Sequence, residues 1–404
     1  MKQALPQTIA LFGYYGAGNL GDEAVVSLLA REIRRRMPEA KLLGISLNPD
    51  ETMKRHGIEA IPIRRTGSSK SGRSRFRKAL EAAPAEIAFL WKSYRALRSI
   101  TLLVVAGSGG IYDKEHGPWT YPFTHFRWAA LCALTGTRMM YLSVGAGPFV
   151  TELGKWFFRF SLSRASYRSF RDEASLAWMK KIGMRKASRL CPDMAFALLP
   201  SASGLHAGAA KSRLRRVGIN PLPRHEWSTR FDARTMSYEA YIRIMAEFCL
   251  FLCRKKIEVV FFHSQLGDER LDDDIRAIMA AHSAGGAMPT TLSAASPDEL
   301  MEHIASLDLV VASRFHAVLF SLLKGKPVVA LSYHPKIDDL MERAGQGRHV
   351  MEIRTITPEA LECAFERLEA ERASCAWRLD TGIFKRYYTE VVEQFDDVFS
   401  SPKR

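Results

Sequence analysis

Two stretches of this 404-residue chain hold residue types that could act together in a reaction. One is residues 13–23, GYYGAGNLGDE, a glycine-rich turn closing on two carboxylates. The other is Ser313-Arg314-Phe315-His316. Arg314 can present a planar fork to a carboxylate or phosphate. His316, with an ordinary pKa of about 6.5, can supply or accept a proton near neutrality. Arg171 has a matching place after a strand in the other half of the chain, and Lys336 adds a third cation. Asp193 ends another strand, where it suits either a base or a turn cap. Trp119, Tyr121 and Trp128 could stack a sugar, although Trp128 fits core packing better.

These residues need elements that bring them to one edge. An apolar run at 9–12 reads as a strand, and residues 24–37 follow with apolar positions at helical spacing. Strands are expected at 41–46, 58–63, 101–106, 138–144, 166–170 and 187–191, with helices at 76–98, 123–135 and from 171 to 181. Three of these strands end in glycines, as in an open parallel sheet with a functional carboxyl edge. Residues 200–210 (PSASGLHAGAA) read as a linker. A second set of strands follows at 216–220, 257–263, 307–313 and 327–332. Helices are expected at 238–255, 268–282, 315–323, 336–344 and 358–372, and Ser296-Pro297 is a strong helix start. The predicted fold class is α/β, with two Rossmann-like doubly wound domains facing a cleft, the GT-B type. The domains are expected at 1–205 and 206–375, with a helical tail at 376–404 returning to the body.

Residues 16–21 match GxGxxG after a strand, which suggests a dinucleotide site. Asp22 and Glu23 argue against it. They stand at the helix N-terminus, where a pyrophosphate would lie, and repel it. The net charge is +15 with 47% hydrophobic residues. Basic residues concentrate at 64–78 and 211–234, without the aromatic interleaving of base readout, so no nucleic acid is expected. The 64–78 stretch suits either a solvated loop or attraction to an anionic membrane surface. Apolar runs are too short to span a bilayer, and the N-terminus does not read as a signal peptide. Six cysteines lack metal-binding spacing and are expected as buried free thiols in a reducing cytoplasm.

The chain resembles the polysaccharide pyruvyl transferase family over about residues 8–345. The resemblance is carried by GYYGAGNLGDEA, AGSGGIYD (106–113), VGAGP (144–148), SFRDEAS (169–175) and SRFHAVLFSLLKGKPVVALSYHPK (313–336). It departs from the family pattern at Phe315, His334 and Met194. It implies transfer of a pyruvyl group from phosphoenolpyruvate to two hydroxyls of a sugar, giving a cyclic ketal and phosphate. Phosphoenolpyruvate is then the donor substrate, with no separate cofactor and no metal. The acceptor would belong to a surface or secreted polysaccharide or its lipid-linked precursor. Arg314, Arg171, Lys336, Gly16, Gly18 and Asn19 are expected at the donor. His316 is the expected general acid, acting on the methylene carbon or the leaving phosphate, and Asp22 or Asp193 the base. Tyr15, Tyr112, Trp119, Tyr333 and His334 are expected at the acceptor. The location implied is cytoplasmic, with peripheral contact at the inner face of the membrane. A GT-B glycosyltransferase using a nucleotide sugar is the nearest rival, and a silent basic polysaccharide- or membrane-binding protein is another.

Overall fold

The computed structural model describes residues 7–65, 75–107, 110–114, 117–199, 214–224, 226–227, 236–282 and 287–399. The expected basic loop at 64–78 lies mostly outside these residues, and the expected linker at 200–210 wholly outside. Contacts divide the chain into two compact units. One comprises Met1–Ala17, Val25–Ala195 and Glu390–Arg404; the other comprises Gly18–Ala24 and Phe196–Thr389. The glycine-rich turn is thus shared out: Gly16 falls in the first unit, and Gly18 to Glu23 in the second.

Elements of the first run in chain order as β1 (Thr8–Phe12), α1 (Leu20–Arg36), β2 (Lys41–Ser46), α2 (Pro49–His56), β3 (Ala60–Pro62), α3 (Arg75–Leu97), β4 (Leu102–Ala106), α4 (Tyr121–Thr135), β5 (Arg138–Val144), α5 (Glu152–Arg164), β6 (Tyr167–Phe170), α6 (Glu173–Lys181) and β7 (Arg189–Leu190). The first turn of α1 belongs to the second unit by its contacts. The strands form one parallel sheet in the order β3-β2-β1-β4-β5-β6-β7. Ile9, Ala10, Leu103 and Val104 are fully buried, because helices cover both faces of such a sheet; that is why its central strands read as unbroken apolar runs.

The second unit repeats the plan. Its elements are β8 (Arg216–Asn220), α7 (Tyr238–Arg254), β9 (Glu258–Phe262), α8 (Arg270–His282), β10 (Thr290–Leu292), α9 (Pro297–Ala305), β11 (Leu309–Ala312), α10 (Phe315–Leu323), β12 (Val328–Ser332), α11 (Pro335–Arg343), β13 (Val350–Glu352), α12 (Pro358–Ala373) and α13 (Thr381–Phe399). From Glu390 on, α13 groups with the first unit. The order β10-β9-β8-β11-β12-β13 places the topological switch between β8 and β11. Ser296 caps α9 as its sequence predicts, accepting from the Glu299 N–H at 3.2 Å.

Four elements go beyond the sequence expectation: α2, α5, β10 and β13. The two strands are three residues each, too short for a period-2 signal. Helix α2 is one of two turns, held by its Asn48 cap and a left-handed Gly57. The expected strand at 187–191 shrinks to the exposed pair Arg189–Leu190. Cys132, Cys191 and Cys249 are buried as expected, whereas Cys253 is half-buried and Cys363 and Cys375 are exposed.

Candidate active site

The Ser313–His316 stretch sits at the switch point of the second sheet. β11 ends at Ala312, paired with Asn220 at the end of β8. Asn220 is buried and donates to the Phe262 carbonyl at 2.8 Å. Its other amide atom accepts the Arg314 N–H at 3.2 Å. One side chain therefore fixes the carboxyl ends of β8, β9 and β11, which sets where α10 begins.

Arg314 precedes α10 and is only 8% exposed. Its Nη2 lies 2.6 Å from Asp268 and its Nη1 3.4 Å from Glu226. Burial opposes the charge, but the two carboxylates more than offset that, so the guanidinium pKa stands above its usual value. The expected donor-binding fork is thus turned on carboxylates of its own unit at both terminal nitrogens. This makes Arg314 an organiser of the sheet edge.

His316 lies against the glycine-rich turn. A Cβ on Gly21 would stand 1.9 Å from His316 Nδ1, so only a glycine leaves room for the ring. The turn itself is pinned to the loop after β9: the Leu20 N–H donates to Ser264 O at 2.8 Å, and Leu266 N–H to Gly18 O at 2.9 Å. Asn19 Oδ1 accepts the Gly21 N–H at 3.1 Å and caps α1. Asn19 therefore shapes the turn through its side chain.

Lys336 holds its Nζ 5.5 Å from the Phe315 ring centroid. Tyr333 adjoins Arg314 electrostatically. His334, expected at an acceptor, is the N-cap of α11 and accepts the Lys336 N–H at 3.2 Å. Helix α10 receives no side-chain cap from Arg314. Its start thus presents a positive dipole end at the sheet edge beside Lys336 and His316.

In the first unit, Arg171 and Asp193 meet. Arg171 Nη1 is 3.2 Å from Asp193, and its Nε is 3.4 Å from Asp172. The guanidinium lies flat over Gly145, where a Cβ would come within 2.6 Å of Nη2. Asp193 also accepts the Ala195 N–H at 3.0 Å, so its carboxylate caps the turn, one of its two expected roles, while it pairs with Arg171. Tyr112 rests on Tyr121, ring centroids 4.9 Å apart, and Tyr121 on Tyr14 at 4.5 Å. Tyr15 is buried with its hydroxyl between Leu11 O and Ile45 N, an arrangement that ties β1 to β2. Gly16 adopts a left-handed backbone against Asn48. Trp119 projects from the unit and rests on Phe123 and Phe157.

Sequence reading passed over Asp268, Glu226 and Asn220. One signal was there for Asp268: residues 266–269 repeat the Leu-Gly-Asp-Glu of residues 20–23. The two copies meet, since Asn19 and Gln265, the residues before them, form an antiparallel bridge. Also missed was the buried pair of His263 and Asp272, Nε2 to Oδ1 2.9 Å.

A family profile described as polysaccharide pyruvyl transferase matches residues 19–335, from the Asn19 cap to the start of α11. The chain belongs to the polysaccharide pyruvyl transferase family. The pairing of Gly21 with His316 therefore joins the first and last parts of the family's matched region. Among curated proteins none matches the sequence. Solved structures share the fold. The UDP-GlcNAc 2-epimerase of Methanocaldococcus jannaschii has a TM-score of 0.60 at 9% identity, covering 97% of this chain and 99% of its own. The Neisseria meningitidis UDP-GlcNAc 2-epimerase, bound to UDP-GlcNAc, gives 0.57 at 12% identity over 97% and 100%. A glycosyltransferase from Rickettsia africae gives 0.52 at 8% identity over 98% and 95%. At such identities the likeness is one of fold, and the fold of this pyruvyl transferase family member is GT-B. Among the described residues no helix is long and apolar enough to cross a membrane.

Proposed function

We propose that this family member transfers the pyruvyl group of phosphoenolpyruvate to two hydroxyls of a saccharide, forming a cyclic ketal and releasing phosphate. The reading rests above all on His316, held against Gly21 beside the start of α10 and Lys336. The donor carries a carboxylate and a phosphate on adjacent positions. A helix N-terminus and a lysine suit such a dianionic group.

The chemistry needs one proton at carbon. His316 gives it to the methylene, which becomes methyl and leaves C2 electron-poor. A sugar hydroxyl adds at C2 while a carboxylate takes its proton; Asp22, next to Gly21, and Asp193 are the candidates. The C2–O bond to phosphate then breaks, the electron pair leaving with phosphate, and a second hydroxyl closes the ketal. Of the two hydroxyl protons, one balances the proton spent on carbon and the other leaves on phosphate. The acceptor class is a surface or secreted polysaccharide or its lipid-linked precursor, met on the cytoplasmic side.

The test is thermal unfolding with phosphoenolpyruvate. At about 100 times its Kd, the donor should stabilise the protein by about 2.7 kcal/mol, and Lys336→Ala should lose most of that. Arg314→Ala is a poorer probe, because it would break the buried pair with Asp268, at a cost of about 3–5 kcal/mol. With a competent acceptor, His316→Ala should lower phosphate release roughly 10²- to 10⁴-fold. Stabilisation by UDP-GlcNAc and not by phosphoenolpyruvate would overturn the reading in favour of nucleotide-sugar transfer.

A further inference from the structure

Helix α4 has an unusual outer side. Its residues between 123 and 134 that keep solvent exposure are Phe123, Phe126, Ala130, Ala133 and Leu134, and the helix contains no acidic residue. A surface helix of a soluble domain ordinarily puts polar residues there. Beside it, α5 exposes Leu153 and Trp156 and half-exposes Phe160.

The rings are continuous across the two helices. Trp119 touches Phe123 at 5.5 Å between centroids, Phe126 touches Trp156 at 5.2 Å, and Phe126 touches Phe160 at 4.9 Å. Leu134 is 73%, Trp119 66% and Trp156 45% exposed. No described residue covers this face. It explains why α5 hides from a periodicity reading: Trp156 and Phe160 point outward while Phe157 and Phe158 point inward, so the segment has apolar residues on both sides.

The charge that α5 adds to the face is mainly positive. On α5, Lys155, Arg159 and Arg164 flank the rings, and Arg164 lies 5.0 Å from the Phe160 centroid. Glu152 is the one carboxylate of α5 and pairs with Lys155 at 2.6 Å. Exposed tryptophans over an apolar stripe with a cationic fringe are the composition of a membrane-interface surface. The net charge of +15 acts in the same direction. Self-pairing through a two-fold axis would instead set the arginine fringe against itself.

We propose that the α4–α5 face docks this protein peripherally on a membrane surface rich in anionic lipid. The rings enter the headgroup region and Arg159 and Arg164 meet lipid phosphates. The proposal stands apart from the pyruvyl-transfer reading, because lipid binding involves neither donor nor acceptor.

Sedimentation with vesicles tests it. The full chain should partition to vesicles of phosphatidylglycerol and phosphatidylcholine and not to phosphatidylcholine alone, and added salt should release it. Leu153→Ser with Trp156→Ser, and separately Arg159→Glu with Arg164→Glu, should each weaken partitioning at least about tenfold with melting temperature unchanged. If the serine pair unfolds the protein, the charge-reversed pair on exposed positions decides alone. Failure to bind anionic vesicles, or binding by both variants as strong as that of the unaltered chain, would overturn the proposal. So would a dimer, seen by light scattering without lipid, that the serine pair dissociates; the face would then belong to a second copy of the chain.

Discussion

At the scale of single residues, the site is made by close approach. His316 is placed by the missing side chain of Gly21 as much as by its own helix. Gly21→Ala should therefore push the imidazole out of position and reduce phosphate release toward the level of His316→Ala, a loss of roughly 10²-fold or more. Another histidine, outside the site, titrates with the fold. His349 is buried beside Glu371 at 3.0 Å. Burial holds its pKa below the usual value and outweighs the attraction of Glu371. The folded state then binds the proton less well than the unfolded chain. Its contribution to stability is complete above about pH 6.5 and declines as pH falls from there through the lower folded pKa. His349→Gln should flatten melting temperature against pH in that range, as scanning calorimetry would show.

At the scale of elements, what matters is which strand ends are tied together. Asn220 links β8, β9 and the start of α10 through two amide hydrogen bonds. Asn220→Ala should leave the buried Arg314 N–H and Phe262 carbonyl without that partner, costing about 1–3 kcal/mol for each. Denaturant unfolding would measure the loss. Phosphate release should fall as well, since Arg314 and His316 share the displaced backbone. The positions of most strands and helices were readable because each carries its own periodicity and end signals. β5, β8 and α10 match the expectation residue for residue. Helix α5 did not, because its outer side is apolar and the contrast a periodicity reading depends on is absent.

At the scale of the molecule, two doubly wound sheets with related strand orders carry a strongly basic chain. The α4–α5 face gives part of that charge a place. The resemblance in the motifs and the family match agree over most of the chain. The Leu-Gly-Asp-Glu turn occurs twice, once after β1 and once after β9, and both copies lie together in the second unit.

The sequence alone determined the fold class, the family and the stretches that carry His316, Lys336, Arg171 and Asp193. Those follow from local pattern: apolar runs, glycines at strand ends, and motif residues a few positions apart. Only the tertiary structure decided what each charge faces. Arg314 could be recognised as a cation at a strand end, but its pairing with Asp268 and Glu226 depends on three separate segments meeting. The same holds for Gly21 under His316, and for Tyr15, Asn19 and His334, whose polar atoms serve the backbone around them. A buried charge or donor must find a partner or pay the cost of desolvation. Which partner it finds is fixed by packing between residues far apart in the chain, and one-dimensional spacing carries no record of that.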